Sequence, residues 1–264
     1  MAIIKLKQNS GLAIFYNKFV CDFLFYRLIR IIVLLGKVFI FMIYHFFMRL
    51  KEIGGGIYLI TSRNKKELGL AFLRVQERYE SSEFKGKTFS LSEFKEWYKK
   101  NNRGKFDYCR VWTAFNLPSY ALNPLFDGSF KYLSGYEKNL RSLLKHLKGD
   151  FYVVGLLEDA SKEVIAHEFS HAFFYLFQDY RKKVLKVLSG HDTKDIRAEL
   201  MSWLDYTQEV LDDEVNSYIL ESPKALKSTI QEKLKKELEN IFFEKSKEFS
   251  YLNKFLSGYP NALR

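Results

Sequence analysis

Residues 161–176 read SKEVIAHEFSHAFFYL and contain an HExxH pattern, in which His167 and His171 flank Glu168. On an α-helix, residues four positions apart project from the same face, so both imidazoles can bind a single metal ion. The intervening glutamate lies beside them, close enough to take a proton from a water molecule that the metal activates. The spacing therefore predicts a helix that carries two metal ligands and a general base.

The neighbouring residues indicate that this helix is buried. At about 100° per residue, the two histidines share a face with Val164, Phe174 and Tyr175. Most of the remaining surface is covered by Ile165, Phe169, Ala172, Phe173 and Leu176. A helix that is apolar nearly all round is buried, and buried histidines and glutamates are costly unless something binds them. A metal ion meets that need, whereas the alternative is a chance match with two histidines on an ordinary surface helix.

A catalytic zinc takes three protein ligands and leaves one position to water, so a third ligand is required. The candidates are His191, Glu199, Asp205 and Glu214. Glu214 is favoured because it flanks the apolar stripe of a downstream helix. That stripe consists of Leu204, Leu211, Val215 and Tyr218. On the same helix Asp212 and Asp213 are expected to point away from the stripe. The alternative for Glu214 is an ion pair with a lysine or arginine from elsewhere in the chain.

The segments HEFSH at 167–171 and DEVNS at 213–217 together resemble the gluzincin zinc metallopeptidases. In that family the third ligand is a glutamate on a second helix, within an N-E-x-x-S-D-like pattern. Glu214 and Ser217 match the pattern, whereas Asp213 stands at the family's Asn position and Tyr218 at its Asp position. The family's Asp orients a zinc-binding histidine, so Tyr218 leaves the partner of His167 open. The resemblance covers residues 151–221.

The resemblance implies a zincin-like α+β fold with a mostly α-helical second half. A small sheet would place an edge strand just before the buried HExxH helix. That strand would be FYVVGLL, residues 151–157, and it would pair with an extended substrate. From the residues alone, 151–157 could equally be an interior strand.

The resemblance also implies the chemistry of the site. One Zn²⁺ per chain would be held by His167, His171 and Glu214, with Glu168 as general base and then acid. The implied substrate is a protein or peptide. Two alternatives stay open: a zinc-binding protein of this fold without catalysis, and a membrane-associated basic scaffold without metal.

The chain is expected to have four portions. Residues 1–48 form a hydrophobic basic segment, 49–150 an α+β portion, 151–221 the metal-site core, and 222–264 an amphipathic helix and tail. Strands are predicted at 57–62 and around 108–115, and helices at 65–79, 91–100 and 134–147. The last two helices begin with capping boxes, Ser90 with Glu93 and Ser134 with Glu137. From Ser161 onward helix is expected throughout, with breaks near Gly190 and at Ser222 and a final helix over 223–248.

Composition excludes several classes of function. Formal net charge is +11, but about half of it lies in residues 1–50, and no run of basic residues with interleaved aromatics occurs. We therefore expect no nucleic-acid partner. Two cysteines, Cys21 and Cys109, cannot build a disulfide framework or a four-thiolate metal site. Phosphate-binding loops, dinucleotide-binding glycine motifs and nucleophile elbows are absent from the sequence.

The expected cellular location of the protein depends on the N-terminal segment. Residues 31–48 have the length of a membrane span and are interrupted only by Lys37 and His45. One interpretation is a membrane anchor of undecided orientation, which makes a membrane a candidate partner through residues 1–48. A second interpretation places the true start at Met48, and the protein would then be cytoplasmic. A cleavable signal peptide is disfavoured because no small-residue cleavage site follows the apolar run.

Overall fold

The computed structural model describes residues 48–204, 210–221 and 226–256. The predictions for the N-terminal segment, for Asp205 and for the break at Ser222 lie outside these residues. None of the described helices has both the length and the apolar character needed to span a bilayer.

A four-stranded mixed sheet forms the framework of the described residues. Its strands are β1 (Arg49–Gly54), β2 (Ile57–Ser62), β3 (Ala114–Pro118) and β4 (Tyr152–Leu157), in the order β1-β2-β4-β3. β1 and β2 form an antiparallel hairpin, β2 runs parallel to β4, and β3 runs antiparallel to β4. The hairpin turns at Gly55, whose positive φ of 59° suits glycine and whose missing Cβ makes room for the ring of Phe177.

The expectation that residues 151–157 form an edge strand is wrong. β4 lies inside the sheet, between β2 and β3, and all six of its residues are buried. A continuous apolar strand of this kind needs cover on both faces and partners on both sides. The edge beside the HExxH helix belongs instead to β3. The strand predicted around 108–115 is also misplaced, because a short helix comes first and the strand begins at Ala114.

Helices make up most of the remainder, which confirms the mixed α+β class. They are α1 (Lys65–Glu80), α2 (Leu91–Asn101), α3 (Tyr108–Val111), α4 (Gly135–Leu144), α5 (Lys162–Leu176), α6 (Gln178–Ser189), α7 (Lys194–Leu204), α8 (Leu211–Glu221), α9 (Glu232–Ser246) and α10 (Ser250–Leu256). A 3₁₀ segment spans Ser119–Leu125. Both predicted capping boxes are present, at the starts of α2 and α4. The break near Gly190 is confirmed, whereas the helix predicted over 223–248 begins only at Glu232 and is followed by a further short helix, α10.

The sheet separates two hydrophobic clusters. Along β4, Tyr152, Val154 and Leu156 pack in the cluster that contains α5, α6, α8 and α9. Val153 and Leu157 pack in the other cluster, against α1, α2 and α4. This alternation follows from the period of two along a strand. It places the HExxH helix directly on one face of the sheet.

Candidate metal centre

Helix α5 presents the two histidines of the HExxH pattern as the spacing predicts. The hydroxyl of Ser161 caps the helix by accepting a hydrogen bond from the Val164 backbone. One turn apart on α5, His167 and His171 converge so that their Nε2 atoms lie 3.2 Å from each other. His171 is buried at 2% exposure. Two imidazole nitrogens at this distance on one helix face are placed so that both can bind the same metal ion.

Helix α8 brings Glu214 to the same place. Its side chain is buried, and Oε2 lies 3.9 Å from His171 Nε2. Ligand atoms of Glu214, His167 and His171 all lie within 4.8 Å of one another, in a group that could hold a metal ion. The structure thus gathers the three residues that the sequence selects, from two helices that pack against each other.

The other candidate ligands lie elsewhere. His191 is within 3.1 Å of Gln231 and 3.2 Å of Glu237, at the start of α9. The Glu199 carboxylate accepts hydrogen bonds from the backbone of Lys227 and Ser228. Neither residue joins the group around His171.

The donor set and its spacing fit a tetrahedral metal ion. Two nitrogens at 2.0–2.1 Å from one tetrahedral zinc would lie roughly 3.3 Å apart, close to the 3.2 Å between the two Nε2 atoms. Two imidazoles and one carboxylate are ligands that zinc accepts, and three protein ligands leave one position for water. The described residues therefore fit the ion that the sequence predicts.

A carboxylate lies close to the Nδ1 atom of each imidazole. His171 Nδ1 lies 2.9 Å from Asp213 Oδ2, and His167 Nδ1 lies 3.0 Å from Glu221 Oε2. A carboxylate in this position can hold a proton on Nδ1, which leaves Nε2 to bind a metal. Tyr218 packs edge-on against the His167 ring at 4.9 Å. These carboxylates complete an arrangement typical of protein zinc sites.

Asp213, which was expected to point away from the apolar stripe of its helix, contacts a ligand histidine. Asp213 lies in the first turn of α8 and reaches His171 from the flank of the Glu214 face. Glu221 was missed by the sequence reasoning, although a signal exists: it follows Glu214 by seven residues, two turns along the same face. Glu221 therefore lies beside His167, the histidine whose partner the sequence leaves open.

Two buried serines let the ligand helices approach closely. Ser170 Oγ on α5 and Ser217 Oγ on α8 lie 2.6 Å apart, and both residues are fully buried. Ser217 Oγ also lies 3.3 Å from His171 Nδ1. The serine that matches the gluzincin pattern thus sits at the contact between the two helices.

Glu168 is held in place by the edge strand. This residue is 7% exposed, and its Oε2 accepts a hydrogen bond of 2.8 Å from Asn116 Nδ2 on β3. The Asn116 side-chain oxygen in turn accepts one of 2.6 Å from the Tyr152 hydroxyl on β4. Sequence reasoning missed both partners, and the only signal was a polar Asn116 within the apolar run 114–118. The chain orients the carboxylate of Glu168 beside the two histidines.

The site opens into an acidic cleft of about 200 Å³. Its lining includes the carboxyl groups of Glu80, Glu168, Glu214 and Glu221, and no lysine or arginine is among its described lining residues. Burial lowers the pKa of His171, but the carboxylates of Asp213 and Glu214 outweigh it and raise that pKa to about 10. Such an excess of buried negative charge favours a bound cation.

Comparison of the chain with protein-family models, with curated proteins and with solved structures finds no match. The likeness to gluzincins therefore rests on the residues of the site.

Proposed function

We propose that this chain is a gluzincin-type, zinc-dependent metallopeptidase with a zincin-like fold, and that it hydrolyses peptide bonds in a protein or peptide. The observation that carries the proposal is the convergence of His167, His171 and Glu214 beside the buried Glu168. A purely structural zinc site is closed by four protein ligands, whereas this group offers three and lines a cleft. An open position beside a carboxylate is the arrangement that metal-assisted hydrolysis requires.

The chain's own residues account for the proton transfers. A zinc ion held by His167, His171 and Glu214 would lower the pKa of a water molecule towards about 7 and polarise the scissile carbonyl. Glu168 takes the proton of the attacking water and passes it to the nitrogen of the leaving amine. Asn116 donates a hydrogen bond to Oε2 of that carboxylate, so in this mechanism Oε1 would carry the proton. Asp213 and Glu221 keep the Nδ1 protons in place on the two imidazoles.

The edge strand β3 supports a peptide substrate. Ala114 and Asn116 line the cleft, and among the described strands β3 has a neighbour on one side only. An extended peptide can hydrogen-bond to such an edge, which would lay its backbone along the cleft. The substrate strand is thus assigned to β3, where the sequence suggested residues 151–157.

The main argument for a zinc-binding protein without catalysis no longer holds. It rested on Tyr218, which stands where the resembled family has a histidine-orienting Asp. In this chain Glu221 contacts His167 Nδ1 at 3.0 Å and can perform that orientation. The catalytic proposal is therefore the better supported one.

Elemental analysis with a peptidase assay tests the proposal. We expect about one zinc per chain, at least tenfold less zinc in His171→Ala and Glu214→Ala, and full zinc without peptidase activity in Glu168→Gln. The exposed Glu163, in the first turn of the same helix, provides the control Glu163→Gln, which should retain zinc and activity. Stoichiometric zinc in His171→Ala would refute the ligand assignment, and undiminished activity in Glu168→Gln would refute the mechanism.

A further inference from the structure

A pair of polar side chains that the proposed mechanism does not use lies on α1 and lines the cleft. Gln76 and Glu80 are one helical turn apart, and both line the cleft together with Glu168 and Glu214. The Gln76 amide donates a hydrogen bond of 2.6 Å from Nε2 to Glu80 Oε2. The proposed mechanism gives a role to Glu168, Glu214 and Glu221, whereas it gives none to Glu80.

Gln76 provides the observation that points to a ligand. The residue is 9% exposed, its Oε1 is buried, and this oxygen accepts no hydrogen bond from any residue that the structure describes. A buried carbonyl oxygen without a donor is destabilising by about 1–3 kcal/mol, so such atoms usually have a partner. In a cleft, that partner can be an N–H group of a bound molecule.

Glu80 adds charge to the same position. Its carboxyl group lines the cleft beside Glu168 and Glu214, and the Gln76 amide holds it in place. A cation bound there would stabilise the ionised carboxylate. The described lining of this cleft includes no lysine or arginine, although Arg78 and Lys85 line a second cavity that Glu80 also borders.

We propose that Gln76 and Glu80 form a subsite for a primary ammonium group of the substrate, either the free amino terminus of a peptide or a lysine side chain. The inference rests on the proposed peptidase function and specifies its substrate class. An ammonium group carries three N–H donors, which can reach Gln76 Oε1 and the Glu80 carboxylate at once. A guanidinium group prefers two carboxylate oxygens in parallel, and Glu80 Oε2 is already engaged by Gln76.

Peptide binding tests the subsite without relying on turnover. The protein is the zinc-loaded full chain carrying Glu168→Gln, and the readout is affinity by titration calorimetry. The probes are a hexapeptide of alanine and norleucine with a free amino terminus, its N-acetylated form, and N-acetylated forms with one lysine at each position in turn. We expect at least tenfold tighter binding of either the free-amine peptide or one lysine peptide than of the acetylated parent. Which peptide gains affinity identifies the source of the ammonium group.

Variants of Glu80 and Gln76 test whether the preference for an ammonium group arises at these two residues. Glu80→Gln should abolish the tenfold difference, leave the affinity for the acetylated parent unchanged, and retain zinc. Gln76→Met, which keeps the side-chain volume but removes Oε1, should reduce the difference and serves if Glu80→Gln does not fold. Glu83→Gln is the matched control, because Glu83 is an exposed carboxylate just beyond the same helix that pairs with Lys87.

Two kinds of failure can be told apart. Equal affinity for all peptides, an equal loss for all of them in Glu80→Gln, or loss of zinc in that variant would overturn the ammonium subsite and leave the peptidase proposal standing. A zinc-containing protein that binds none of the peptides would overturn the peptidase proposal together with the subsite.

Discussion

Glu221 and Asp213 show how much of the site depends on residues that do not themselves face the metal position. Each carboxylate lies within 3.0 Å of an imidazole Nδ1, where it can orient the ring and hold a proton on that nitrogen. Asn116 acts in the same way on Glu168 from the neighbouring strand. At the scale of single residues, the candidate catalytic group is positioned by three side chains outside the HExxH pattern.

We expect Glu221→Gln and Asp213→Asn each to weaken zinc binding by roughly 10–100-fold, the usual effect of removing a carboxylate behind a ligand histidine. Competition with a zinc-binding dye would measure the affinity. Asp212→Asn is the control, because Asp212 pairs with Arg197 and makes no contact with the histidines that the structure describes. An unchanged zinc affinity in both variants would show that the imidazoles are oriented by other means.

At the scale of elements, the central strand β4 has to pass close to α1. Its Gly155 lies where an added Cβ would be 2.9 Å from the ring of Phe72, which is fully buried. The glycine therefore lets the sheet pack tightly against α1, the helix that carries Gln76 and Glu80. The distance between β4 and α1, and with it the position of Gln76 and Glu80, therefore depends on the contact between Gly155 and Phe72.

Gly155→Ala should lower the free energy of unfolding by about 1–3 kcal/mol, because the buried Phe72 ring must shift to admit the methyl group. Chemical denaturation would measure the change. Gly135→Ala is the matched control, since a Cβ at Gly135, in the first turn of α4, meets nothing within 4 Å. That substitution should be neutral or stabilise by up to about 1 kcal/mol. Equal stabilities of the two variants would contradict the packing argument.

At the scale of the whole molecule, the ligand helices belong to the larger of the two cores. Phe169 and Phe173 on α5 and Val215 on α8 are fully buried in the cluster that also holds α9 and α10. Because the ligands are attached to these packed helices, an ion that bridges α5 and α8 would stabilise the native state as a whole. Metal binding and folding are then linked.

Removal of zinc by a chelator should therefore lower the melting temperature. At free zinc of 1,000 times its dissociation constant, the linkage adds about 4 kcal/mol to the free energy of unfolding. Differential scanning calorimetry with and without chelator would measure this. The His171→Ala variant should melt at one temperature under both conditions. A wild-type chain insensitive to the chelator would exclude a tightly bound ion.

The sequence by itself determined the features that depend on local geometry. Helix period brings His167 and His171 to one face, and the capping boxes at Ser90 and Ser134 satisfy backbone groups within three residues. Strand β2 matches its predicted bounds, because an alternating apolar run between turn residues specifies a strand without distant information. The choice of Glu214 likewise followed from its place beside the apolar stripe of one helix.

Only the tertiary structure decided which distant groups meet. Asn116 and Glu168 are 52 residues apart, and their contact requires β3, and not β4, at the sheet edge beside α5. Strand order depends on how both faces of the sheet are covered, which no local pattern specifies. The same holds for Gln76 and Glu80, since their place in the cleft follows from the packing of α1 against β4. Helix and strand periods act over a few residues, whereas these contacts depend on the packing of whole elements.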